Sequence, residues 1–389
     1  MMRSTVTKPN APCGRHPDRL FRLLYLFVNT VTLPLASPHT TLQRTLATLP
    51  KIDLHRHLEG SVRLETLLDV AEQYQIDLPE RTLEGLRPLV QVMPDDENDA
   101  VHFLKKFTVL RRFFCAPEVI RRVAREAVLD AANDNIRYLE LRFTPRALAR
   151  LMNYNYSEVI DWVCDGVRQA QAECRIGVGL IVAVNRHESV IDARQQLYAA
   201  LNHQADGVVG FDLCGQEAGY PAEPFFPIFV QARRAGLGIT IHAGEWVGPA
   251  NIRAAIQELG AQRIGHGVRI VEDNKIVQLA LSSGTTFEVC PTSNVQSGVV
   301  YAIAHHPLLD MNYLGLRTTI NTDDPAISAI TLSAELAVAV EQLGMTLPAV
   351  RQALLRSAEA AFLSDADRQQ LIAQIQDELP DAASTPDEH

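Results

Sequence analysis

Short apolar runs alternate with longer stretches of helical spacing along most of this chain. The first run is Lys51-Ile52-Asp53-Leu54-His55-Arg56-His57, with Ile52 and Leu54 on one face and Asp53, His55 and His57 on the other. A period of two predicts a strand and aims both imidazoles the same way. Further strands are predicted at residues 136–143, 176–184, 208–213, 239–241, 263–267, 285–290 and 316–321, several of them rich in β-branched residues. Helical spacing fills the intervals, for example at 157–172, 251–259 and 273–281. Eight strands alternating with helices over roughly 320 residues predict a (β/α)8 barrel of the TIM type. The competing fold, a doubly wound open sheet, would carry a glycine-rich phosphate loop after its first strand, and the sequence has none.

The interval from 60 to 135 is longer than the others and reads as helical throughout. Leu64, Leu67, Leu68 and Ala71 recur at helical spacing, as do Phe103, Leu104, Phe107 and Leu110. A helical insertion after the first strand can cap a pocket at the barrel mouth. Spacing alone favours ordinary core packing for the same Phe and Leu residues. Outside the barrel at 49–365, residues 1–48 are expected to be a poorly ordered extension and 366–389 a polar, acidic tail that frays. Residues 20–35 are apolar-rich and follow Arg3, Lys8, Arg15 and Arg19, a loose likeness to a secretory signal ending near Ala36. Arg22, Asn29, Thr30 and Thr32 dilute that run, which favours a simple extension.

Composition narrows the class. The 389 residues are 47% hydrophobic and 21% charged, as in soluble globular proteins. A net charge of −10 without a basic run argues against a nucleic-acid surface. No run of apolar residues is long enough to predict a membrane-spanning helix. The six cysteines are dispersed and form no Cys-x-x-Cys pair, so a reduced, cytoplasmic compartment is expected.

In such a barrel the reactive groups sit at the carboxyl ends of the strands. His55 and His57 end the first strand, Asp212 and Gly215 the fourth, His242 and Glu245 the fifth, His266 the sixth, and Asp323 and Asp324 the eighth. Each motif alone is weak, since a chain with 12 histidines can contain His-x-His by chance. Their common placement is the signal. Three imidazole nitrogens and one carboxylate oxygen suit Zn²⁺ with a position left for water, and His55, His57, His242 and Asp323 are the expected ligands. No Lys on the fourth strand offers a bridge to a second metal, so one ion is expected. Glu245 is the expected proton carrier, and His266 is free to hold the activated water. Neither a Gly-x-Ser-x-Gly elbow nor the cysteine-based zinc signature of cytidine-type deaminases is present.

The set His55-Arg56-His57-Leu58-Glu59-Gly60, Asp212-Leu213-Cys214-Gly215, His242-Ala243-Gly244-Glu245, Ile264-Gly265-His266-Gly267, Cys290-Pro291-Thr292-Ser293-Asn294 and Asn321-Thr322-Asp323-Asp324-Pro325 resembles the adenosine deaminase family of metal-dependent amidohydrolases. The likeness spans about residues 50 to 365, in the family's order. It implies zinc on the four ligands named, Glu245 protonating purine N1, and His266 steering hydroxide onto C6 as ammonia leaves. It also implies that Asp324 meets N7, the Gly215 N–H meets N3, and Glu59 faces the ribose 5′-hydroxyl. His57 would border the substrate, and Phe103, Leu104 and Phe107 would gate the pocket. The chain departs from the family at Gln216, often Asp there, and at Cys214, often Ala. The implied substrate is a small nucleoside, adenosine or 2′-deoxyadenosine. Relatives act on adenine, 6-aminodeoxyfutalosine or N6-modified adenine nucleotides with the same ligands. Glu59 favours a ribose and disfavours a 5′-phosphate. A nucleoside-binding protein on a dead barrel is opposed by the intact ligands and acid. A non-purine amidohydrolase is opposed by Gly215 and Asp324.

Overall fold

The computed structural model describes residues 40–380. Eight parallel strands form one sheet whose order is the order of the chain: β1 (Lys51–His57), β2 (Ile136–Phe143), β3 (Gly177–Asn185), β4 (Val208–Cys214), β5 (Gly238–Ala243), β6 (Arg263–His266), β7 (Thr286–Val289) and β8 (Arg317–Ile320). The predicted barrel is therefore the observed one, and no strand end moves by more than two residues from its expected place. β8 returns to β1 through a bridge between Arg56 and Asp323. There the His57 N–H donates to the Asp323 carbonyl and the Asp323 N–H to the His55 carbonyl, both at 2.8 Å. The Asn321 side chain extends the join, its Oδ1 accepting the Leu54 N–H at 3.0 Å.

Helices surround the barrel and start where short polar side chains can cap free N–H groups. Asp99 accepts from the His102 N–H, Ser189 from Asp192 and Thr331 from Ala334. The interval from 60 to 135 holds four helices, Leu64–Gln73, Leu83–Val90, Ala100–Leu110 and Pro117–Asn133. The stretch expected as one helix at 251–259 is α-helical over Ala250–Ala254 and then widens into a π-turn over Ala255–Leu259. Among the described residues, no helix is long and apolar enough to cross a membrane.

Both termini of the fold lie beyond their expected places. Residues 41–48 were expected outside the fold, yet Thr41–Thr48 is a helix with a capping box between Thr40 and Gln43, and Leu46 is buried. Its last carbonyls are held by the buried Lys51, whose Nζ donates to Leu46, Ala47 and Leu49 at 3.0–3.3 Å. Asn135 adds bonds to the Thr48 and Leu49 carbonyls. At the other end, the segment expected to fray is the helix Asp365–Glu378, capped by Ser364 and seated through Leu371 and Ile375. The signal-like run at 20–35 and the acidic residues beyond 380 lie outside the described residues.

The floor of the barrel is plugged by Phe362, with the Arg263 guanidinium 3.5 Å from its ring centre. Gly238 is required there, because a Cβ on it would fall 2.3–2.5 Å from the Phe362 ring. Gly238→Ala is therefore expected to destabilise the fold by about 1–3 kcal/mol through overpacking. Chemical denaturation checks this, and an unchanged midpoint would show that Phe362 can yield.

Candidate active site

The carboxyl ends of the strands surround a cavity of about 280 Å³. His57, Glu59, Phe103, Leu104, Phe107, Gly215, His242, Glu245, His266, Asp323 and Asp324 all line it, and His55 lies fully buried beneath. The candidate residues thus reach one place, with Asp212 set behind His242. The helix Ala100–Leu110 supplies the apolar wall as a cap does, with Phe103 buried and Leu104 partly open to solvent.

At the base of the cavity, Asp323 Oδ1 stands 3.2 Å from His55 Nε2 and 3.3 Å from His57 Nε2, and the His57 and His242 Nε2 atoms are 3.4 Å apart. Tetrahedral zinc with bonds near 2.05 Å has ligand–ligand edges of about 3.3 Å. The buried His55 Nε2 makes no hydrogen bond of its own. These residues fit a metal ion. A second set of donor atoms, from His55, His266, Cys290 and Asp323, is also close enough to share an ion.

The ligands are aimed from behind. His55 Nδ1 lies 2.8 Å from Glu288, and His242 Nδ1 lies 3.1 Å from Asp212. A carboxylate at Nδ1 keeps the proton there and leaves the Nε2 lone pair facing the cavity. Glu288 also accepts from Arg142 at 2.7 Å, Arg263 at 2.6 Å and Thr240 at 3.1 Å, and Asp212 accepts from Arg142 at 3.0 Å. Burial raises both carboxyl pKa values, but the charges facing them outweigh it. Arg142 and Arg263 hold Glu288 well below the usual range, and His242 and Arg142 do the same for Asp212. Burial keeps His57 and His242 neutral, as ligands must be. At His55, burial and Arg142 lower the pKa, but Asp323 and Glu288 raise it past its ordinary value.

Three carboxyl groups line the rest of the cavity. Burial raises the Glu245 pKa well above the carboxylate range, and Asp323 and Glu217 add to the shift. That shift favours the protonated form, the one able to donate a proton. Asp324 is raised well above its ordinary value by the same two causes, burial and then Asp323. Its Oδ1 is buried without a partner and packs against Gly60, where a Cβ would fall 1.9 Å away. Glu59 accepts the Thr144 N–H at 2.8 Å through one oxygen, leaves the other unpaired, and is raised by burial to about 7. Gly215 has φ of +82°, and a Cβ there would fall 2.8 Å from Asn185 and His187.

The turn after β5 is set by Glu217, two residues beyond Gly215. Its carboxylate accepts the N–H groups of Gly244, Glu245, Trp246 and Val247 at 2.8–3.1 Å and the Asn251 side chain at 2.8 Å. Glu217→Gln exchanges one acceptor oxygen for a donor inside this ring of N–H groups. It is expected to lower kcat by about 10- to 100-fold by displacing Glu245, with metal content unchanged. Equal kcat values in the two proteins would show that the turn holds without it. The residues behind the site that sequence reasoning missed, Glu288, Arg142 and Arg263, carry no motif. Their only signal is the presence of charged residues inside strands that are otherwise apolar.

A parallel barrel with a buried three-histidine, one-aspartate cluster and a buried carboxyl group beside it defines a metal-dependent hydrolase of the amidohydrolase type. The family model for adenosine deaminase matches residues 50–378, and the chain belongs to that family. It is 42% identical over 323 residues to an adenosine deaminase of Serratia proteamaculans, covering 83% of this chain and 97% of the relative. Among solved structures, an amidohydrolase from Burkholderia ambifaria with bound zinc superposes with a TM-score of 0.79 at 26% identity, covering 89% of this chain and 95% of the other. An adenine deaminase from Arthrobacter aurescens gives a TM-score of 0.78 at 26% identity, with 85% and 98% covered.

Proposed function

We propose that this chain hydrolyses adenosine and 2′-deoxyadenosine to the inosine forms and ammonia, with one zinc ion on His55, His57, His242 and Asp323. The observation that carries the reading is the buried Glu245 carboxyl beside that cluster, shifted toward its protonated form, in a chain 42% identical to an adenosine deaminase over most of its length. The ion supplies a water acidic enough to lose its proton near neutral pH. Glu245 donates its proton to purine N1, which makes C6 electrophilic. Asp324, whose carboxyl burial shifts toward the protonated form, donates to N7, and the Gly215 N–H meets N3. Glu59 takes the ribose 5′-hydroxyl on its unpaired oxygen. Phe103, Leu104 and Phe107 exclude bulk water over the base. The Glu245 carboxylate left behind takes a proton from the attacking water and hands it to the 6-amino group, which leaves as ammonia; the oxygen of water becomes the 6-oxo group and its last proton returns to Glu245. We place the protein in the cytoplasm, in keeping with the free thiols of Cys115, Cys164, Cys174, Cys214 and Cys290.

A second reading, a 5′-phosphorylated substrate, has one observation in its favour. Arg111 lines the cavity and has no ion-pair partner among the described residues. Ultraviolet assays of adenosine, deoxyadenosine, adenine, AMP and 6-aminodeoxyfutalosine, with and without chelator, separate the readings. Chelator-sensitive turnover of adenosine with AMP untouched is expected. Preference for AMP would transfer the assignment to the second reading, and a zinc-loaded protein inert to the whole panel would be a nucleoside-binding barrel.

A further inference from the structure

We infer that a one-way chain of hydrogen bonds, from the Leu308 backbone through His306 and Asn294, fixes the proton of His266 on Nε2. His266 then donates a hydrogen bond to the attacking oxygen and has no lone pair left for a metal. The role toward that oxygen rests on the deaminase reading; the position of the proton does not.

The direction follows from the first link. The Leu308 N–H points at His306 Nδ1 at 3.1 Å, and a backbone N–H can only donate. His306 Nδ1 is therefore an acceptor, and its proton is on Nε2. That nitrogen is 3.1 Å from the Asn294 Oδ1. Since Nε2–H donates, the atom it meets must be the amide oxygen, which fixes the amide orientation. The Asn294 Nδ2 is then the atom facing His266 Nδ1, at 3.0 Å, and it donates. His266 Nδ1 is thereby used as an acceptor, so the ring proton sits on Nε2. All three side chains are buried, so water does not compete for these bonds. Burial also pushes His306 down to about 3, so it stays a neutral, one-proton ring.

His266 Nε2 faces the reacting end of the cavity, 3.7 Å from Glu245 Oε1 and 3.8 Å from Asp323 Oδ2. An N–H aimed there stabilises negative charge on the incoming oxygen and cannot take its proton. The same lock separates the two candidate metal sets. A ring whose Nδ1 accepts and whose Nε2 is protonated cannot ligate, so the set with His266 and Cys290 is excluded. The set with His57 and His242 remains. Asn294 and His306 are positioning residues, since neither lines the cavity.

Nitrogen-15 NMR of the full chain, histidine-labelled and zinc-loaded, tests the lock directly, with His266 assigned from the spectrum of His266→Asn. A protonated Nε2 and an unprotonated Nδ1 are expected; a proton on Nδ1 in the wild type would overturn the inference. Asn294→Asp presents an acceptor to Nδ1 and should move a proton onto it. It should lower kcat about 100-fold with little change in KM or zinc content. His306→Gln guards against a merely structural effect, because Gln can accept from Leu308 and donate to Asn294. It should keep most of the activity, whereas His306→Phe should fall like Asn294→Asp. Equal losses in Gln and Phe, or a moved proton with kcat unchanged, would refute the role. The NMR result needs no substrate, so failure of the deaminase reading shows separately, as an inert wild type with the proton still on Nε2.

Discussion

Glu245→Gln keeps its zinc and loses turnover, with kcat down by about 10³-fold or more, toward the upper range of a lost general acid. Gln matches the size of Glu245 and can still donate a hydrogen bond to N1, but it cannot hand over a proton. Burial, Asp323 and Glu217 all disfavour the charge of the wild-type group and so favour its proton-donating form. Turnover by the wild type therefore falls as pH rises through that elevated pKa, where the acid is lost. The variant has no such limb, since nothing at that position ionises. Steady-state kinetics across pH, with zinc measured by mass spectrometry, checks both points. A variant within tenfold of wild type would remove Glu245 from the reaction.

His242→Ala loses the metal and with it all activity above background. The substitution deletes one of three imidazole ligands and leaves Asp212 facing a void, held only by Arg142. Asp212→Asn is milder, costing about 10- to 100-fold in zinc affinity, because it loosens the ring without removing a donor atom. Zinc content after dialysis against a weak chelator orders the proteins as wild type, Asp212→Asn, His242→Ala. Stoichiometric zinc in His242→Ala would mean the ion sits on another set of donors.

The barrel was legible because each strand carries its own local signal, period two in β1 and compact β-branched runs elsewhere. The convergence of the candidate residues was legible for a related reason: they stand just past strand ends, and the sequence marks those ends. What lies behind the ligands was hidden. Glu288 and Arg142 are far apart in the chain and meet only because β2 and β7 project side chains into the same interior. Nothing local to either strand announces that contact. Glu217 is similar, since its five donors belong to a later turn. The two terminal helices were missed for a different reason. Thr41–Thr48 buries one side chain and Asp365–Glu378 buries two, so their apolar periodicity is too sparse to stand out from polar surroundings. What anchors them is tertiary, Lys51 and Asn135 at one end and the Arg137–Glu378 ion pair at the other.

The join between the last strand and the first is two backbone hydrogen bonds long, and both involve candidate metal ligands: His57 and Asp323 in one, Asp323 and His55 in the other. The seam of the barrel and the grip on the ion are thus one object. Slippage of β8 along β1 separates a carboxylate from two imidazoles before any core helix has moved. On gentle heating or in low denaturant, metal loss and inactivation should therefore run ahead of the unfolding seen by circular dichroism, and added zinc should delay both. In such a molecule the catalyst reports on its own closure: a barrel that is working is a barrel that is shut.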